Sequence, residues 1–273
     1  MKIILLVLSF LFISSCSKIS LGYKFGDWII SSKVRKFIRF QGQDLKRFDK
    51  VVDEHIAWHK EKVLPEVLKL NNSIISDIDK MDDKKVKDYF ERIRNIYHKS
   101  VLTVIPKISP LLARINGIQL DRLTKKLYAG NERIEDQIKV RRDELIKEKK
   151  DQYLLNLKEW FGSVNEKQRE TLDSVFNKLF INPKARLARR SVRIRNFLNC
   201  YDEENIGKRT SAIESVLIKN WSLSDRYSDW RKEFLSFMVK FLKDLDADQK
   251  QFFTDTLNNY QKEIKSIVST LDN

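Results

Sequence analysis

Six cations crowd one helix-length segment. Between Pro183 and Arg195 stand Lys184, Arg186, Arg189, Arg190, Arg193 and Arg195, with no acidic residue among them. Wound as a helix, Arg186, Arg189, Arg190 and Arg193 share one stripe while Leu187, Ile194 and Leu198 line another face. Like charges at that spacing repel, and a nearby anion would relieve the cost. The stripe is therefore a candidate anion-binding site, or else a solvated face whose charges pair with acids elsewhere in the fold. His55 and His59, four residues apart, could also share a helix face, but Ile56-Ala57-Trp58 between them lacks the glutamate of a zinc-protease helix. Glu61 and Glu66 lie close to His59, which could act as a base. Yet the sequence carries no nucleophile elbow, glycine-rich phosphate loop or Cys/His metal spacing. We expect no enzyme, no metal and no cofactor.

Thiol chemistry is confined to Cys16 and Cys200. Cys16 follows Lys2, an apolar run from Ile3 to Ile13, and two serines. That run is too short for a hydrocarbon core needing roughly 20 apolar residues, and has the form of a cleaved export signal. Ile13-Ser14-Ser15-Cys16 resembles the lipobox of bacterial lipoproteins. The resemblance implies a diacylglycerol on the Cys16 thiol, cleavage just before it, and acylation of the new amino terminus. Several acyl chains hold far more firmly than one. Ser17 rather than Asp follows, which resembles proteins passed to the outer membrane of Gram-negative cells, facing the periplasm. With Cys16 lipidated, Cys200 has no intramolecular partner. It is then buried or free to cross-link, and its neighbours Phe197, Leu198 and Tyr201 favour burial.

The chain of 273 residues has a formal charge of +15, and removal of residues 1–15 takes away only Lys2, leaving about +14. A surface this basic suits nucleic acid in a cytoplasmic protein. Export instead points to anionic lipid headgroups, lipopolysaccharide phosphates or acidic envelope proteins as partners, with no nucleic acid expected. Seven Gly, four Pro and 33% charged residues favour long helices, while sixteen Phe and five Trp supply a core.

The elements follow from periodicity and caps. Residues 16–40 form a lipidated, membrane-proximal segment in which Tyr23, Asp27, Trp28 and Phe37 either meet the bilayer interface or pack on the protein's own core. Residues 41–273 form a helical domain with room for a subdomain break near 162. Leu45, Phe48, Val52 and Ile56 recur at helical steps, and Pro65 predicts a kink or break. Asp82-Asp83 heads a helix through Val86, Phe90, Ile93 and Tyr97. Ser109-Pro110 reads as a fresh helix start. Asn131 to Trp160 reads as one long charged helix ended by Gly162, followed by a capping box at Ser163-Val-Asn-Glu166. Asn182-Pro183, Ser222-Leu-Ser-Asp225 and Asp246-Ala-Asp-Gln249 predict three further starts. The expectation is an all-α, elongated bundle or array of about seven to nine helices.

One phrase recurs at irregular spacing: a polar cap, then Gln, then an apolar residue. It appears around Gln119, Gln168 and Gln249, with a looser echo at Gln43. Such starts arise by coincidence or by duplication. They also resemble the Leu-Thr-x-x-Gln helix starts of Spy-like periplasmic chaperones.

Over most of its mature length the chain resembles a family of uncharacterised bacterial helical lipoproteins. The resemblance rests on the lipobox Cys16, then Asp27-Trp28, Trp58-His59, Leu64-Pro65, and Trp160-Phe161-Gly162 ahead of Gln168. It implies an all-helical envelope lipoprotein and brings no activity and no catalytic residues. Two functions fit: a non-catalytic envelope binding or chaperone-like protein with a basic face, or a scaffold docking an envelope complex. An apolar concavity would favour the first, and a flat apolar patch of several hundred Å² the second.

Overall fold

The structure, a computed structural model, describes residues 18–178, 182–222 and 228–269. The signal segment and Cys16 lie outside them, and the capping box expected at Ser222–Asp225 runs into residues outside them too. Among the described residues the chain is helical and has no strand. It is cut into more helices than the seven to nine expected. They are α1 (Lys18–Lys24), α2 (Gly26–Arg35), α3 (Gly42–Trp58), α4 (Leu64–Asp77), α5 (Asp83–Ala113), α6 (Gly117–Lys139), α7 (Arg142–Phe161), α8 (Glu166–Lys178), α9 (Pro183–Leu198), α10 (Ile206–Ser222), α11 (Ser228–Lys243) and α12 (Ala247–Ser269).

The helix boundaries show which local signals held. Asp82 caps α5 by accepting from the Lys85 amide, and Asn182 caps α9 by accepting from Ala185. Gly162 ends α7 with φ +74°, a conformation that suits glycine, and a Cβ there would meet the Phe252 ring at 3.0 Å. The cap of α8 is Asn165 rather than Ser163. Its side chain accepts from the Gln168 amide while Gln168 Oε1 accepts from the Asn165 amide. The long helix expected over 131–160 is broken where Val140 and Arg141 turn extended, leaving Asn131 inside α6. Arg141 pairs with Asp143, and Asp143 and Glu144 open α7, complementing its dipole. No Gly or Pro marks that break.

The prolines behave differently from expectation. Pro110 does not start a helix; with Pro106 it lies inside α5, which runs unbroken for 31 residues, about 46 Å. Buried Ser109 donates to the Ile105 carbonyl within this stretch. At Pro65 the chain neither breaks nor leaves the helix. A π turn at His59–Val63 joins α3 to α4, with the Leu64 amide reaching five residues back to the His59 carbonyl. The wider turn absorbs the missing proline N–H.

Helix α5 is shared by two packed regions. Around its carboxyl-terminal part, α3, α6, α9 and α10 bury Phe48, Val52, Leu111, Leu123, Phe197 and Ile213. Cys200 is buried in this core as expected, and burial raises its thiol pKa. Around its amino-terminal part, α4, α7, α8, α11 and α12 gather Leu70, Val86, Phe161, Phe237, Phe241 and Leu257. Helix α1 closes onto this second region, Ile19 packing with Leu64, Ile264 and Ile267.

Candidate functional site

The second region is not filled. An apolar cavity of about 450 Å³ lies among α4, α5, α7, α11 and α12. That is within the roughly 300–1,000 Å³ of small-molecule sites, and far above the few small voids of a close-packed interior. Its lining runs along α5 from Val86 to Ser100, fifteen residues whose fourteen helical rises span about 21 Å. Ile74, Ile93, Leu157, Trp160, Phe234 and Leu257 typify the wall. Among the described residues no Lys, Arg, Asp or Glu lines it.

Polar side chains punctuate the lining at Asn71, Tyr89, Tyr153 and Asn156, and at His59, Tyr97 and Ser100 toward one end. His59, from the π turn, lines the cavity and is buried. Its Nδ1 is hydrogen-bonded to Tyr23 Oη at 2.5 Å, so α1 is latched to the α3–α4 junction. Burial pushes the His59 pKa down to about 4, with the neighbouring His55 adding repulsion, and the ring is neutral at pH 7. His55, pushed down to about 4 by burial and by Lys107, stacks on Trp58 at 5.6 Å and leaves its Nδ1 unpartnered. Tyr97 also lines the cavity. Its hydroxyl is buried without a partner, and burial pushes its pKa up to about 12. Against it lies Trp221, ring centroids 4.7 Å apart, whose indole N–H is likewise unpartnered. The Lys99–Glu66 pair at 2.6 Å holds this part of α5 beside the start of α4. Ile19, Leu64, His59 and Tyr97 therefore mark the same end.

At the floor of this region the recurring glutamines meet. Gln168 and Gln249 donate to each other, both at 2.9 Å, and are almost wholly buried. Gln168 also donates to the Asp244 carbonyl and Gln249 to the Ser163 carbonyl. Each side-chain oxygen accepts in addition from its own cap residue, Asn165 or Asp246. Both amides thus use their full hydrogen-bonding capacity. Gln119 makes the same capping box with Asn116, but its amide crosses to the Arg39 carbonyl and no glutamine answers it.

The residues singled out in the sequence scatter. Asp27 and Trp28 border a shallow polar pocket with Ser31, Arg35, Asp49 and Asp53, and Trp28 is 69% exposed. Tyr23 turns inward while Leu21, Phe25 and Trp28, at helical spacing, face out. Trp58, His59 and Pro65 belong to the π junction. No acid meets His59: Glu61 pairs with Lys62 and Glu66 with Lys99. The basic stripe divides. Arg190 turns onto α6, donating to Asn131 Oδ1 at 2.6 Å and the Leu127 carbonyl at 2.7 Å, and Arg186 reaches Gln137. Burial and Arg186 lower the Arg190 pKa. Lys184, Arg189 and Arg195 stay exposed and Arg193 is half-buried. This helix does not border the cavity. Among the described residues no group of His, Cys, Asp and Glu could hold a metal ion, and no helix is long and apolar enough to cross a membrane.

Sequence reasoning found His59 through its motif and the glutamines through their repetition, but not the cavity. Its lining comes from six helices whose apolar stripes individually look like ordinary core.

Residues 36–234 match the model of a family of unknown function, DUF6279, and the chain belongs to that family. No curated protein and no solved structure matches it.

Proposed function

We propose that this member of a family of unknown function is a non-catalytic, lipid-anchored binding protein of the bacterial cell envelope that shelters an apolar ligand or client segment. In a Gram-negative cell it would stand on the outer membrane and face the periplasm. The observation that carries the reading is the apolar cavity of about 450 Å³, which no side chain of the described residues fills. The lipobox-like Cys16 supplies the anchor. The exposed Leu21, Phe25 and Trp28 follow within twelve residues of it and suit the headgroup level of a bilayer. The exposed cations of α9 would add attraction to anionic headgroups or lipopolysaccharide phosphates.

A scaffold role fits less well. Away from the amino-terminal stripe, the exposed large apolar residues Ile118, Leu155, Val192 and Phe252 each stand on a different helix.

Titration of the Cys16→Ser protein with a polarity-sensitive apolar dye tests the reading. Saturable one-to-one binding, abolished by Ile93→Trp in a protein with unchanged circular dichroism, is expected. Binding that fails to saturate, or that ignores Ile93→Trp, would sink it.

A further inference from the structure

Two classes of occupant fit an apolar space, peptide and hydrocarbon, and the lining separates them. An extended peptide would bring one N–H and one C=O per residue into a wall that offers few partners. A hydrocarbon chain brings neither. One leaflet of a hydrocarbon core about 30 Å thick corresponds to a chain of roughly 15 Å, which the 21 Å run along α5 accommodates.

Such a chain carries a polar group at one end, and the Ser100 end of the cavity holds a donor with no partner. The Tyr97 hydroxyl on the cavity wall is a buried donor without an acceptor. A carbonyl oxygen of an ester or amide is the acceptor it lacks. At the other end stand Met81, Val86, Phe161 and Leu242, which suit a terminal methyl.

The Ser100 end is also where the amino terminus arrives. Ile19 is buried, lines the cavity, and lies three residues after Cys16, a reach of at most about 10 Å. The Tyr23–His59 bond holds α1 in that place. We propose that the cavity houses an acyl chain and that its resident is one of the chains carried on Cys16. The protein thereby shelters part of its own anchor, while the remaining chains hold the membrane. This inference rests on the binding reading above and on lipidation of Cys16. Because bilayer interior and cavity wall are both hydrocarbon, a chain can exchange between them without losing apolar burial. A folded-back chain is thus a store of anchoring strength, released when another lipid takes its place.

The test compares the lipidated full chain in nanodiscs with Cys16→Ser, each titrated with a long-chain fluorescent fatty acid and read by tryptophan-to-probe energy transfer, with empty nanodiscs subtracted. Cys16→Ser should bind one-to-one, and the lipidated protein at least tenfold more weakly because its site is occupied. Tyr97→Phe should weaken binding to Cys16→Ser severalfold, and Leu257→Trp should abolish it with circular dichroism and Tm retained. Equal binding by both forms would overturn the resident chain. A Cys16→Ser protein that binds the apolar dye but no fatty acid would overturn the acyl assignment while leaving the binding reading intact. Failure with both ligands would remove that reading as well.

Discussion

Where α10 lies along the carboxyl-terminal part of α5, Ile213 is wholly buried and its neighbours close around it. Where α4, α7, α11 and α12 surround the amino-terminal part, larger side chains stand back and leave about 450 Å³ open. The contrast is not one of hydrophobicity. The open region is the richer in aromatics, with Trp160 stacked on Tyr260 at 5.3 Å and Phe161 tilted against Phe253 at 4.7 Å. Rings braced against one another form a rigid wall, and a rigid wall can keep a space that flexible aliphatic side chains would collapse into. The closed region instead interlocks Ile, Leu and Val and uses its polar groups for fastening, as Arg190 does between α6 and α9.

The contrast breaks most sharply under volume changes. Ile213→Ala should cost roughly 2–5 kcal/mol, read as a loss of Tm and denaturant midpoint, because a closed core relaxes only partly around a hole. Ile213→Phe should also destabilise, by about 1–3 kcal/mol. Ile93→Phe on the cavity wall should be neutral or stabilising. If both Phe variants destabilise alike, the two regions do not differ in packing.

Acid should act on the open region. His59 has a folded pKa of about 4 against 6.5 unfolded, so the unfolded chain binds the proton more readily. Its contribution is complete above pH 6.5 and is lost as pH falls toward 4, about 3 kcal/mol at the limit. Tm should fall over that window, and His59→Phe should flatten the slope without abolishing what His55, also lowered to about 4, and the carboxylates contribute. An unchanged slope in the variant would show that the latch is not a buried neutral imidazole.

Next come the glutamines. Gln168→Ala strands the Gln249 amide and should cost roughly 1–3 kcal/mol, whereas Gln119→Ala, at an exposed cap, should cost about 0.5–2. A double-mutant cycle of Gln168 with Gln249 should show coupling, and one of Gln168 with Gln119 should not. The smallest effect belongs to the basic helix. Lys184, Arg189 and Arg195 changed to Gln should shift stability within about 0.5 kcal/mol each, measured by chemical denaturation. Arg190→Gln should cost more, because its guanidinium fastens α6.

Much of this was legible from residue order. Helical periodicity, few glycines, the caps at Asp82 and Asn182 and the stop at Gly162 are local signals, and the all-α class follows from them. The break at Val140–Arg141 was hidden because neither residue forbids a helix; only packing on both sides decides it. Pro110 misled because proline at a first turn and proline tolerated inside a buried helix look alike in sequence. The cavity was illegible for a different reason. Val86, Ile93, Leu157 and Leu257 satisfy any core pattern, and whether six such stripes meet or stop short depends on ring sizes and helix separations that no single stripe encodes. The basic segment shows the reverse error of emphasis. Its charges were conspicuous, yet Arg190 is committed to holding two helices together.

The Gln168–Gln249 contact has a further consequence. Each residue gives the other what it receives, and each continues into a cap of the same form at Asn165 and Asp246. Between separate subunits this would be an isologous contact, the mark of a two-fold axis. Here the axis would pass through a single chain, relating the α7–α8 turn to the α11–α12 turn. Both turns also extend an amide to the other's backbone, Gln168 to the Asp244 carbonyl and Gln249 to the Ser163 carbonyl, each two residues before the partner's cap, so the local two-fold relation extends past the glutamines themselves.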